Sequence, residues 1–79
     1  MSNEIYQQVE TIFRAMLTDR QMEAMNPDAT MDDVDGWDSL SFLDMIMGLE
    51  GAFNIRIDGL EAVNLTTVPN ITEYLQSHT

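Results

Sequence analysis

The 79-residue chain has no cysteine, only three lysine or arginine residues and only two prolines. The first two shortages each remove a class of function. Without cysteine there is no disulfide, no thiolate metal site and no thiol nucleophile within the polypeptide. Three basic residues stand against fourteen acidic ones, a formal net charge of -11. Such a chain cannot replace the counterions along a nucleic-acid backbone. Anionic membrane surfaces repel it for the same reason. Nucleic acid and membrane are therefore excluded as partners, and proteins with basic patches, reached by electrostatic steering, are favoured. No apolar run is long enough to cross a bilayer, and the N-terminus lacks a basic segment followed by an apolar one. The expectation is a cytoplasmic monomer with one domain over residues 1–79. Its apolar fraction of 44% is ordinary for a folded protein, so the charge does not imply disorder.

What is present is helical periodicity. Ile5, Val9, Ile12, Phe13, Met16 and Leu17 recur at spacings of three and four, which predicts a helix over about residues 3–18. Ser2 or Asn3 is a candidate cap for it. From Thr18 to Asp38 the period breaks, with Asn26-Pro27-Asp28 as a turn signal. This stretch reads as a long acidic loop, held to the core by Met22, Met25, Met31 and Val34. A second helix is expected over 39–53, with Phe42, Ile46, Leu49 and Phe53 on its core face and Leu43 and Met45 beside them. Leu40, Asp44, Met47, Gly48 and Gly51 fall on the opposite side. Ile55 to Ile57 reads as an extended link, and Asp58 to Val63 as one helical turn. Thr66-Thr67-Val68-Pro69 opens a last helix, with threonine as cap and proline in the first turn, running through Tyr74 and Leu75 to about Ser77. The fold class is all-α: a small four-helix bundle of three main helices plus one short helical turn.

Several chemistries fail on these residues. A serine nucleophile needs a base, and the single histidine, His78, stands beside the C-terminus. The residues around Ser39 also lack the flanking glycines of a nucleophile elbow. No catalytic residue is assigned. Asp33, Asp35 and Gly36 resemble part of a calcium loop. That register places Met31 and Phe42 where the first and last carboxylate ligands belong, so no metal site is assigned. The seven methionines read as gap-fillers in a small core, and Trp37 as an anchor for the loop. Ser39 stands at the helix start, where serine is commonly a cap. Asp38 directly before it is already a good cap, which leaves Ser39 in the first turn with its hydroxyl free.

Asp38-Ser39-Leu40, followed by Asp44, Met47, Glu50 and Phe53 at these offsets, resembles the acyl and peptidyl carrier protein family. The resemblance spans essentially the whole chain, from the acidic loop before the serine to Tyr74-Leu75. It implies a four-helix bundle in which Ser39 carries 4′-phosphopantetheine, transferred from coenzyme A by a phosphopantetheinyl transferase. It implies a thioester cargo on that arm, supplied by an acyl- or aminoacyl-loading ligase and consumed by a downstream synthase or transferase. Asp38, Leu40, Asp44, Met47 and Glu50 are then the partner-binding residues, facing basic docking patches. Phe42, Leu43 and Ile46 become candidates to line a cavity for the acyl chain.

Some positions depart from the fatty-acid type. Trp37 stands where that type has a small residue, Ser41 replaces an acid, and Gly51 takes a place often held by glutamate. The Gly36-Trp37-Asp38-Ser39-Leu40-Ser41 run looks more like a stand-alone carrier of a specialised pathway, of polyketide, amino-acid-loading or surface-polysaccharide type. The alternatives are the housekeeping fatty-acid carrier and an acidic helical interaction module whose serine stays unmodified.

Overall fold

The computed structural model describes residues 2–78, with the side chains of residues 2 and 3 outside the description. Capping of the first helix by Ser2 or Asn3 therefore lies outside the described side chains. Five helical segments follow in chain order: α1 (Ser2–Met16), α2 (Asp19–Met22), α3 (Ser39–Phe53), α4 (Gly59–Ala62) and α5 (Val68–His78). α1 packs against α3 and α5 and meets α2 at its C-terminal end. The architecture is the expected all-α bundle of three main helices, with one addition.

That addition is α2, inside the stretch read as an aperiodic loop. Thr18 and Gln21 cap each other there. The Thr18 hydroxyl accepts from the Gln21 N–H at 3.2 Å, and the Gln21 amide oxygen accepts from the Thr18 N–H at 2.9 Å. This reciprocal box satisfies two N–H groups that a helix start otherwise leaves unpaired. It turns the chain out of α1, which ends at Met16 rather than near residue 18.

Val9 and Phe13 of α1, Met45 and Leu49 of α3, and Val68, Ile71 and Leu75 of α5 are fully buried. They meet at the centre because each recurs on the inward stripe of its helix. Met22, Met25, Ala29, Val34 and Trp37 close the core from the loop side. Met31 packs partly buried beside them, so the four residues expected to pin the loop all touch the core. The loop is also tied to the start of α5. Met31 N–H donates to the Thr66 carbonyl at 2.9 Å, and Val68 N–H donates to the Ala29 carbonyl at 2.8 Å. Thr67 caps α5 as expected, its hydroxyl accepting from the Asn70 N–H at 3.1 Å.

α3 ends at Asn54, whose φ of 54° lies in the left-handed region that asparagine tolerates. The link beyond it is fastened by Glu50. One carboxylate oxygen of Glu50 accepts from the Ile57 N–H at 2.7 Å, and Ile57 enters the core. α4 buries no side chain of its own. It is held to α5 by Glu61, which accepts from the Tyr74 hydroxyl at 3.2 Å and lies 3.9 Å from the His78 ring. Burial first, and the Glu61 carboxylate second, push the Tyr74 phenol above its ordinary range. No described helix is long and apolar enough to cross a membrane.

Candidate functional site

The start of α3 is built by the residues just before it. Gly36 has φ of 89°, a conformation that glycine adopts without steric cost. A Cβ there would also lie 2.5 Å from the Gln21 side chain. This turn lets the chain drop Trp37 into the core and bring Asp38 back to the surface. Trp37 is buried, its ring edge-on to Phe13 with centroids 4.7 Å apart. The expected anchoring of the loop by Trp37 is thus observed. Its indole N–H is buried without a hydrogen-bond partner among the described residues.

Asp38 is the cap. Its Oδ1 accepts from the N–H groups of Leu40 and Ser41, each at 3.1 Å. Ser41 completes the exchange: its hydroxyl oxygen accepts from the Asp38 N–H at 2.8 Å, and its proton is donated to the Gly36 carbonyl. The Ser41 N–H is the main cause that draws the Asp38 carboxyl below its ordinary range, with the Leu40 N–H acting in the same direction. Ser41 therefore has a local purpose, which the sequence reading missed. An aspartate cap followed three residues later by a hydroxyl was the available signal.

Ser39 occupies the first helical position between these partners. It is exposed, and its hydroxyl makes no hydrogen bond among the described residues. The N–H groups of Asp38, Leu40 and Ser41 are all engaged. Only the N–H of Ser39 itself is left at the helix start for an anion on its own side chain. A hydroxyl that caps nothing, held outward on a rigid helix, fits a covalently attached group: derivatising it breaks no contact of the fold. No group of three or more histidine, aspartate or glutamate side chains suited to a metal ion occurs among the described residues.

The residues read as partner-binding sort into two kinds. Leu40 and Met47 are 79% and 61% exposed and share a face with Asp44, also exposed. Asp38 is exposed at the N-terminal end of α3, with one oxygen committed to the cap. Glu50 is half-buried and commits one oxygen to Ile57. Leu43, read as lying beside the core face, is instead 59% exposed. Its position on the helix circumference falls nearer Met47 than Ile46, so it extends the outer apolar strip and does not line the interior. Phe42 and Ile46 do pack on the core.

The two α3 glycines differ in kind. A Cβ on Gly48 would lie 2.9 Å from Ile12 Cγ2, so glycine there sets the approach of α1. A Cβ on Gly51 would meet no atom within 4 Å.

The family model for the phosphopantetheine attachment site matches residues 7–75. An acyl carrier protein of Desulforapulum autotrophicum is 35% identical over 68 residues, which are 86% of this chain and 88% of that protein.

Proposed function

This chain belongs to the phosphopantetheine-attachment family of acyl carrier proteins, and we propose that Ser39 is the residue to which its 4′-phosphopantetheine arm is attached. The single observation that supports this choice is the unpartnered, exposed hydroxyl of Ser39 between two residues that cap the helix without it. When bound, the arm supplies the thiol that a cysteine-free chain lacks, and that thiol carries acyl groups as thioesters.

The chain's own contribution is presentation. Tethering holds the cargo at high effective concentration for each enzyme that docks. Carrier function implies a phosphopantetheinyl transferase and further partner enzymes. The docking face on this reading is the outer side of α3. Leu40 and Met47 supply apolar contact, Asp38 and Asp44 supply charge, and Glu50 contributes the oxygen not held by Ile57. Encounters steered by charge are fast and weaken with salt. The chain is substrate and carrier for these enzymes and performs no bond chemistry itself.

The cargo belongs to a specialised pathway rather than to bulk fatty-acid synthesis. Support comes from Trp37 and Ser41 flanking the site, and from Gly51 in place of an acid on α3. The test is an intact mass spectrum after incubation with coenzyme A, magnesium and a broad-specificity phosphopantetheinyl transferase. One phosphopantetheine gained by the wild type and none by Ser39→Ala is the expected result. No gain with several transferases would leave an acidic interaction module in which Ser39 merely begins a helix.

A further inference from the structure

Gln21, on α2, lies against the turn that leads to Ser39. Its Oε1 accepts from the Thr18 N–H at 2.9 Å, and its own N–H donates to the Thr18 hydroxyl at 3.2 Å. Backbone and side chain are thus both fixed at the start of α2. The far end of the side chain then meets Gly36. A Cβ at Gly36 would lie 2.5 Å from Gln21 Nε2 and 2.7 Å from Gln21 Cδ, with Leu17 Cδ2 next at 3.0 Å. The Gln21 amide therefore packs on the side of Gly36 where a side chain would stand. Gly36 keeps its φ of 89° beneath that amide.

The Gly36 turn is bonded to the start of α3. Its carbonyl accepts the Ser41 proton, and the Ser41 oxygen accepts from the Asp38 N–H at 2.8 Å. Asp38 Oδ1 in turn holds the N–H groups of Leu40 and Ser41, each at 3.1 Å. Ser39 stands between these residues at the first helical position, so they set its place. Contacts therefore run without a break from Gln21 through Gly36, Ser41 and Asp38 to the turn that carries Ser39.

We infer that Gln21 is a positioning residue for Ser39: it clamps the Gly36 turn, and through Ser41 and Asp38 it holds the Ser39 hydroxyl in place for the transferase. The loading half of this inference rests on the attachment reading of Ser39. Gln21 is not on α3, so its loss leaves the outer face of that helix in place. The effect falls on kcat rather than KM, because misplacing a reacting group slows the step without removing the binding contacts.

The test compares wild type with Gln21→Ala, Gln21→Asn, Gln21→Glu and Thr67→Ala, each as the full chain. Glutamate keeps the length and an oxygen for the Thr18 N–H. Asparagine is one methylene too short to hold that bond and reach Gly36. Thr67→Ala removes the cap of α5 and is the control for lost stability alone. One readout is loading from coenzyme A by a broad-specificity phosphopantetheinyl transferase. The other is hydrogen-exchange protection of the Leu40 and Ser41 amides by NMR. The expected kcat falls about tenfold in Gln21→Ala and Gln21→Asn, with KM within about twofold. Protection of Leu40 and Ser41 falls about threefold in the same two variants, as for a weakened cap. Gln21→Glu restores kcat and protection, and Thr67→Ala lowers protection along the whole chain while its kcat stays as in wild type. Gln21→Ala and Gln21→Asn that load and exchange as Thr67→Ala does would overturn the positioning role and leave the attachment reading standing. A wild type that gains no phosphopantetheine would overturn the attachment reading. The exchange data would then decide the clamp alone: local loss at Leu40 and Ser41 supports it, and unchanged protection sinks it.

Discussion

The ring of Trp37 meets that of Phe13 edge-on, with centroids 4.7 Å apart and planes at 66°. This contact joins the last loop residue before the Asp38 cap to the last turn of α1. It fixes where α3 begins, and so where Ser39 stands. The geometry is the one favoured by the quadrupoles of two aromatic rings. Its drawback is the indole N–H, buried with no acceptor among the described residues. Leaving such a donor unpaired costs about 1–3 kcal/mol. Trp37→Phe removes that donor and keeps a ring against Phe13, so the two effects offset. The expected change in urea-unfolding free energy is below about 1 kcal/mol. Trp37→Ala loses the ring as well and costs roughly 3–5 kcal/mol. Equal losses for the two variants would show that the indole N–H is not a burden.

Ser39 and Ser41, one residue apart on either side of Leu40, should behave in opposite ways. Ser41→Ala removes the hydroxyl that accepts from Asp38 N–H and donates to the Gly36 carbonyl. It should cost about 1 kcal/mol, the typical value for losing one half of a cap. Ser39→Ala removes a hydroxyl that makes no hydrogen bond among the described residues. It should leave the melting temperature unchanged and abolish loading. Thermal melts paired with intact mass of both variants check the crossing pattern. A stability loss in Ser39→Ala would assign that hydroxyl to the fold instead.

The cap also predicts a dependence on pH. The Ser41 N–H holds the folded Asp38 carboxyl below its ordinary value of 3.8. The unfolded chain therefore takes up the proton first as pH falls. The contribution of Asp38 is complete above its unfolded value and is lost as pH drops through the lower folded one. Asp38→Asn keeps a capping oxygen but cannot titrate. The stability gap between wild type and Asp38→Asn should be constant near neutrality and shrink below about pH 4. A gap that stays constant through that range would mean the carboxylate is not engaged in the folded state.

The features legible in the sequence are those carried by short-range patterns. The inward stripe of α3 follows from spacing alone, and Phe42, Ile46 and Leu49 all pack where that spacing puts them. Asp38 as cap, and the freedom of the Ser39 hydroxyl, follow from the identity of neighbours. What was hidden depends on partners distant in sequence or on small rotations. The tie between Ala29–Met31 and Thr66–Val68 joins segments more than thirty residues apart and has no local signature. Leu43 sits at the edge of the stripe, where an apolar residue fits either side, and α1, α3 and α5 together left it outside. α2 was legible in principle, since threonine followed three residues later by glutamine is a capping box. The absence of an apolar period in so short a helix concealed it.

Acidic repulsion should make stability depend on salt. Asp28, Asp32, Asp33, Asp35 and Asp38 crowd the segment before α3, and all are exposed. Among the described residues Arg14 pairs with Glu10 on α1, far along the chain from these aspartates. Screening weakens like-charge repulsion in the folded state more than in the expanded chain, because the folded charges are closer together. The melting temperature should rise steadily as sodium chloride goes from about 0.01 to 0.5 M, across which the screening length falls from roughly 30 Å to below 8 Å. A flat series would show that the aspartates are already neutralised by their own surroundings.

The glycines of α3 give the sharpest contrast within one helix. Gly51→Ala adds a methyl group in open space and gains helix propensity. It should stabilise the fold by about 1 kcal/mol, or roughly 4–8 °C in a domain of this size. Gly48→Ala gains the same propensity, but its Cβ would lie 2.9 Å from Ile12 Cγ2. Ile12 is β-branched and stiff about its first torsion, so α1 and α3 must separate slightly to admit the methyl. The expected net change is a gain less than half that of Gly51→Ala, or a loss. Differential scanning calorimetry of the two single variants decides it. If they gain equally, the approach of α1 to α3 is looser than the Ile12 contact indicates.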